Sequence, residues 1–305
     1  MADLVSIREV GLRDGLQLSK TRLSTKTKLE WCKEQASIGF KEIEVTSFVP
    51  ASILPQFSDS LAVLKEAQKN ESLLASVLVP NYRGAVNALV AGAKKISFVI
   101  SASDAHNHSN VNCSIEKSLS MLKDFIEECK IKNLYGSVLI SGAISTSFGC
   151  SIQGRVSPKK VCEIAEKMAF LGVDEISLAD TVGYANPSQV SELFRNVLNL
   201  KGKVELAGHF HDTRGMGLAN VLSAFNVGVK RFDASLGGLG GCPFAPGASG
   251  NIATEDCVYM FESMGVYSGV DINNLLKLRK KLSKWMFKDK LFGHLLNSGL
   301  PKGFD

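Results

Sequence analysis

Eight short apolar runs, separated by stretches with mostly helical spacing, set the strongest limit on how this chain folds. The runs are Val5–Val10, Glu42–Thr46, Leu74–Val79, Lys95–Ile100, Gly136–Ser141, Glu175–Ser177, Val204–His209 and Arg231–Ala234. Helical patterns lie between them at Thr25–Ser37, Ser58–Gln68, Ser114–Lys130, Pro158–Leu171, Pro187–Leu198 and Leu218–Val227. Short strands alternating with helices of this length form parallel β/α units. Ser157 before Pro158 and Asn186 before Pro187 read as N-caps with proline at the first helical position. The sequence helix, glycine, apolar strand recurs at Gly39, Gly92, Gly172 and Gly228, where a left-handed C-terminal cap favours glycine.

Eight such units can form an open doubly wound sheet or a closed barrel. The barrel is favoured because polar and charged residues gather just after strand runs at both ends of the chain. Only closure brings the first and last strands together, and a barrel's active site sits at the C-terminal ends of its strands. The chain has 305 residues, whereas one barrel takes about 250. The reading is therefore an α/β chain with a (β/α)8 TIM barrel over 1–267 and a short C-terminal helical extension over 268–305.

Composition narrows the function classes. Net charge is +5, and the one basic cluster, Lys277 to Lys281, reads as a solvated helix face. Nucleic-acid binding would want a stronger basic stripe or a recognisable module. No apolar run is long enough for a bilayer. The seven cysteines, at 32, 113, 129, 150, 162, 242 and 257, form no Cys-x-x-Cys pair, which suits a reducing compartment. With no secretory or transit pattern at the N-terminus, a cytoplasmic protein is expected.

Three constellations carry chemistry. In His209-Phe210-His211-Asp212, residues two apart on a strand share a face, so His209 and His211 can present two imidazoles to one point while Phe210 faces the helices. Taken alone, the pair is a weak signal and reads more readily as two ordinary polar histidines. Arg13-Asp14-Gly15 follows the first strand run. It reads either as a surface turn or as a carboxylate and a fixed positive charge at the barrel mouth. Two histidines and one carboxylate make a recognisable divalent-metal set, but these ligand types do not fix the metal. The third is Gly237 to Asn251, too glycine-rich for helix or strand, which reads as a mobile loop bearing Cys242. A thiol of lowered pKa can move protons. A second His-x-His, His106-Asn107-His108, is read as polar loop rather than ligand.

These motifs together resemble the 3-hydroxy-3-methylglutaryl-CoA lyase family, within a wider metal-dependent lyase and synthase barrel group. The carrying segments are Glu9 to Gln17, Glu44 to Val49, Asn112 to Glu116, Ala179 to Gly183, His209 to Thr213, and the Cys242 loop through Asp256. Arg-Asp-Gly-x-Gln alone marks only the wider group, whereas Cys-Pro-Phe-Ala followed by Gly-Asn is far more specific to the lyases. The resemblance implies that Asp14, His209, His211 and Asn251 ligate Mg²⁺ or Mn²⁺. It implies that Arg13 stabilises an enolate oxygen and that Cys242 assists proton transfer. Glu44 and Asp180 would be supporting or proton-relay carboxylates, and Gln17, Ser47 and Thr181, with Arg13, would line the substrate pocket. The implied substrate is an acyl-CoA, cleaved to acetyl-CoA and acetoacetate in leucine degradation. The implied assembly is a homodimer.

The chain also departs from the mitochondrial-type pattern. Leu12 replaces a proline, Leu18-Ser19 replaces Asn-Glu, and Pro50 to Gln56 and Ser145 to Ser151 differ. The ligand and Cys positions are intact, so the reaction type stands while a related substrate such as citramalyl-CoA stays open. Two other readings compete. A Claisen-type synthase of the same group usually carries His-x-His-Asn-Asp and a further C-terminal region. A non-catalytic metal-binding barrel would not need Arg13, Glu44, Asp180 and Cys242 together.

Overall fold

The computed structural model describes residues 4–200, 202, 204–241 and 250–304. Eight parallel strands close into a barrel in sequence order: β1 (Ser6–Glu9), β2 (Glu42–Ser47), β3 (Leu74–Val79), β4 (Lys95–Ser101), β5 (Leu139–Ser145), β6 (Glu175–Asp180), β7 (Glu205–Phe210) and β8 (Arg231–Ala234). Closure is made by β1 against β8, with Arg8 opposite Asp233. The fold expected from the eight alternating runs is the fold observed.

Strand parity organises the molecule. Ile43, Ile96, Ile140, Ile176 and Phe232 are fully buried. Each sits next in sequence to a polar residue on the barrel interior, and successive strand side chains take opposite faces. The outward set packs beneath the helices α1 (Thr25–Ile38), α2 (Ser60–Ala67), α3 (Tyr82–Val90), α5 (Ile115–Ile131), α6 (Pro158–Leu171), α7 (Pro187–Leu200) and α8 (Gly217–Asn226), whereas α4 (Asp104–Val111) adds nothing to this core. Phe210 packs between Phe148 and Phe194 of α7, with ring centroids 6.1 and 6.2 Å away, as its parity requires.

Two segments differ from expectation. The fifth strand begins three residues later than read, because Gly136 turns the chain at φ +86° and pairing with β4 starts at Leu139. His106 to His108 lies in α4 rather than in a loop. Ser103 caps that helix, its Oγ accepting from His106 N at 3.2 Å. In a helix, residues two apart do not face each other. His106 is buried and His108 exposed.

After β8 come α9 (Thr254–Ser263), α10 (Ile272–Trp285) and α11 (Leu295–Ser298). The basic cluster in α10 is not wholly solvated. Arg279 is buried, its Nε donating to Glu255 at 2.8 Å and its Nη2 to Phe292 O at 3.1 Å. Phe292 N in turn donates to Gly237 O at 2.7 Å. The C-terminal segment thus braces the root of the loop after β8.

Candidate active site

The barrel mouth holds a cavity of about 620 Å³. Inward strand positions supply its floor and walls: Glu44, Ser97, Ser141, Ser177, His209 and Asp233 among them. Asp14 comes from a tight π-type turn, Gly11–Gly15, directly after β1. His209 is in β7, and His211 lies one residue beyond the strand on the same face. Asn251 is brought in by an antiparallel bridge to His211, with Asp212 N donating to Gly250 O at 2.9 Å.

Asp14, His209 and His211 place ligand atoms within 4.8 Å of one another. Asp14 Oδ1 accepts from Arg13 Nη1 at 2.6 Å, and Oδ2 accepts from Asn251 Nδ2 at 2.6 Å. His211 Nε2 is 3.6 Å from Asp14 Oδ2, too far for a hydrogen bond. Both His211 nitrogens and Asn251 Oδ1 are buried without a hydrogen-bond partner among the described residues. Buried polar atoms are seldom left so. Here the unpaired atoms surround a carboxylate, and this donor set of nitrogen and oxygen fits a divalent cation. Gly240 completes the fit. At φ +126°, a Cβ there would lie 2.4 Å from Asn251 Nδ2 and 3.0 Å from Asp14 Oδ2.

The electrostatics favour a charged cluster. Burial pushes the Asp14 carboxyl up, but Arg13 and the two histidines outweigh it and hold the group well below the usual range. Burial pulls His209 down, yet its bond to Asp233 leaves it raised. That bond, His209 Nδ1 to Asp233 Oδ2 at 3.0 Å, leaves Nε2 as the nitrogen available to a ligand. Arg13 Nε also donates to Glu44 Oε2, so its guanidinium is fixed between two carboxylates beside the cavity. Burial raises the Glu44 pKa against the pull of Arg13.

The other predicted residues divide. Arg13, Gln17 and Thr181 line the cavity; Ser47 and Asp180 do not. Asp180 has the outward parity, next to the inward Ala179. Its oxygens accept from Tyr184 N at 2.8 Å and Ala185 N at 3.1 Å. Ser47 sits beneath the wall, its Oγ accepting from Val49 N at 3.3 Å, and Val49 lines the cavity. Cys242 lies outside the described residues, although Gly241 before it lines the cavity. Asp233 was not foreseen. Its signal was an acid two residues from the start of the short run Arg231–Ala234. His106 also lines the cavity. Its Nδ1 is 2.7 Å from Ser101 Oγ, and burial lowers its pKa to about 4.

A closed parallel barrel with charged and imidazole side chains gathered at its mouth defines the class, a TIM-barrel enzyme. Within that class the chain belongs to the HMGL-like family, whose model matches residues 4–282. It is 40% identical over 284 residues to the hydroxymethylglutaryl-CoA lyase YngG of Bacillus subtilis, covering 93% of this chain and 94% of the relative. It is 41% identical to the mitochondrial hydroxymethylglutaryl-CoA lyase of Homo sapiens, over 90% of this chain and 83% of that one. The structure of an HMG-CoA lyase from Acinetobacter baumannii in complex with coenzyme A and 3-methylmalate superposes with a TM-score of 0.93 at 38% identity. That match covers 99% of this chain and 97% of the other.

Proposed function

We propose that this enzyme cleaves 3-hydroxy-3-methylglutaryl-CoA to acetyl-CoA and acetoacetate, using Mg²⁺ or Mn²⁺ held by Asp14, His209, His211 and Asn251. The observation that carries the metal reading is the set of unpaired buried atoms on His211 and Asn251 around Asp14. A divalent cation bound there would lower the pKa of a coordinated hydroxyl and orient it.

The chain's own residues account for the remaining steps. The substrate's C3 hydroxyl loses its proton, the C2–C3 bond breaks, and C3 becomes the ketone of acetoacetate. The electron pair passes to C2 as the thioester enolate, and one proton returns to C2 to give acetyl-CoA. Arg13, fixed by Asp14 and Glu44, is aimed to meet the charge that develops on the thioester oxygen. Glu44, which lines the cavity, is the carboxylate we assign to relaying the hydroxyl proton. Asp180 is assigned the supporting role, holding the turn after β6 through Tyr184 N and Ala185 N; burial raises the pKa of both. Cys242 is assigned delivery of the proton to C2. Gln17 and Thr181 contact the acyl group, and Ser47 supports the wall through Val49.

The free state of Cys32, Cys113, Cys129, Cys150, Cys162 and Cys257 suits a reducing compartment, and we propose the cytoplasm as that compartment. No helix among the described residues is long and apolar enough to cross a membrane. We propose a homodimer on the general ground that two-fold assemblies are the commonest among soluble oligomers; light scattering of the purified protein tests it.

The substrate is tested by comparing 3-hydroxy-3-methylglutaryl-CoA with citramalyl-CoA, using the wild type and Cys242→Ser. Turnover of the first, lost in the variant, supports the substrate and the thiol's role. Turnover of citramalyl-CoA alone overturns the substrate while keeping the reaction type.

A further inference from the structure

Beneath the ligand cluster, the barrel interior is charged. Arg8 of β1, Glu42 of β2, Lys95 of β4, Glu175 of β6 and Asp233 of β8 are all buried. Arg8 Nε donates to Asp233 Oδ1 at 2.7 Å, and its Nη1 donates to Glu175 Oε1 at 2.8 Å and Glu42 Oε1 at 3.2 Å. Lys95 Nζ closes the ring, 2.9 Å from Glu42 Oε1 and 2.8 Å from Glu175 Oε2. Within this ring three carboxylates face two cations, leaving one negative charge in excess.

Stability does not explain this layer. Barrel interiors are usually filled with branched apolar side chains. Each buried ion carries a desolvation penalty, and apolar replacements of buried pairs are often neutral or stabilising. What sets the layer apart is its connection upward. Asp233 divides its oxygens: Oδ1 goes to Arg8, and Oδ2 goes to His209 Nδ1 at 3.0 Å. The Arg8–Asp233 contact is built into strand register, since the two residues are paired across the closing seam of the barrel.

We propose that Arg8, clamped by Glu42 and Glu175, is a positioning residue for the metal centre. It fixes the Asp233 carboxylate, which fixes the tautomer and ring orientation of His209 and so presents Nε2 to the cation. The assignment rests on the metal reading above. Partners of this kind usually alter metal affinity by about 10–100-fold when removed. Arg8 acts one contact further out and has the smaller effect.

The test is Mn²⁺ affinity, measured by calorimetry on metal-free wild type, Arg8→Lys, Asp233→Asn and the double variant. Lysine keeps the charge but cannot donate to three carboxylates in the arginine's geometry. Asp233→Asn is expected to weaken Mn²⁺ binding about 10–100-fold, and Arg8→Lys several-fold. The double variant should be no weaker than Asp233→Asn, because the path from Arg8 to His209 runs through Asp233. Imidazole nitrogen NMR shifts of the metal-free protein should show His209 protonated at Nδ1 in the wild type and mixed in Asp233→Asn. Should Arg8→Lys fail to fold, Lys95→Gln loosens the two glutamates and should repeat the non-additive pattern with a smaller loss. Tight wild-type binding with Arg8→Lys unchanged, or with losses that multiply in the double variant, overturns the positioning role alone. A wild type that binds no Mn²⁺ overturns the metal reading, and this assignment with it.

Discussion

Asn251 Nδ2 donates a 2.6 Å hydrogen bond to Asp14 Oδ2, across 237 positions of sequence. The contact depends on barrel closure, because Asp14 follows β1 and Asn251 follows β8. It also turns Asn251 so that Oδ1 is buried and unpaired beside the two histidines. Asn251→Ala removes that oxygen and frees Asp14 Oδ2. Mn²⁺ affinity should fall at least about tenfold while the melting temperature changes little. Unchanged affinity would remove Asn251 from the ligand set.

Gly240→Ala provides an independent probe of the same space. Its methyl would press on Asn251 and Asp14 from a backbone angle that side chains avoid. Metal titration should show binding lost or severely weakened without any ligand being changed. Wild-type affinity would mean that the turn relaxes and the cluster is not tightly built.

Arg13 separates binding from chemistry. Arg13→Met removes the guanidinium that Asp14 and Glu44 hold. If it meets charge in the transition state, kcat should fall by about 10²–10³, with KM changed far less. A rise in KM at constant kcat would make Arg13 a substrate-binding residue only.

Glu9 gives a pH signature. Its buried carboxyl accepts from Gly11 N at 2.9 Å, Leu236 N at 3.0 Å and Thr254 Oγ1 at 2.7 Å. Burial nevertheless raises its pKa from 4.5 to about 7. The folded state then binds a proton more readily than the unfolded chain. The associated stability is full below pH 4.5 and is lost as pH rises through about 7. Denaturant unfolding at pH 5 and pH 8 should show a smaller difference in Glu9→Gln than in wild type. Equal differences would locate the dependence elsewhere.

The Arg279–Glu255 pair, 2.8 Å apart and buried, should respond as a buried ion pair does. Arg279→Met strands the Glu255 charge and should destabilise by about 3–5 kcal/mol. Lys281, from the same basic run, reaches Glu34 from an exposed position. Lys281→Met should leave the urea midpoint essentially unchanged. Comparable losses in the two variants would contradict this contrast.

Much of this was legible because it is periodic. The strand runs, the helix–glycine junctions and the His209/His211 spacing each repeat a geometric rule, and closure followed from charges at both ends of the chain. Sequence spacing is silent where it carries no direction. Asp180 falls one residue off the inward parity, so a motif position became an outward hydrogen-bond acceptor. His106 and His108 share a spacing with His209 and His211, but helical backbone splays the former pair. Asp233 could be recognised only once β8 lay beside β1, and Arg279 only once α10 had packed against α9.

Metal-depleted protein incubated with 3-hydroxy-3-methylglutaryl-CoA, with and without added Mn²⁺, tests the central claim most directly. Acetyl-CoA and acetoacetate are expected in equal amounts with the metal, and essentially none without it or in His211→Ala. Product formation unaffected by metal removal, or no cleavage by a folded, Mn²⁺-loaded protein, would contradict it.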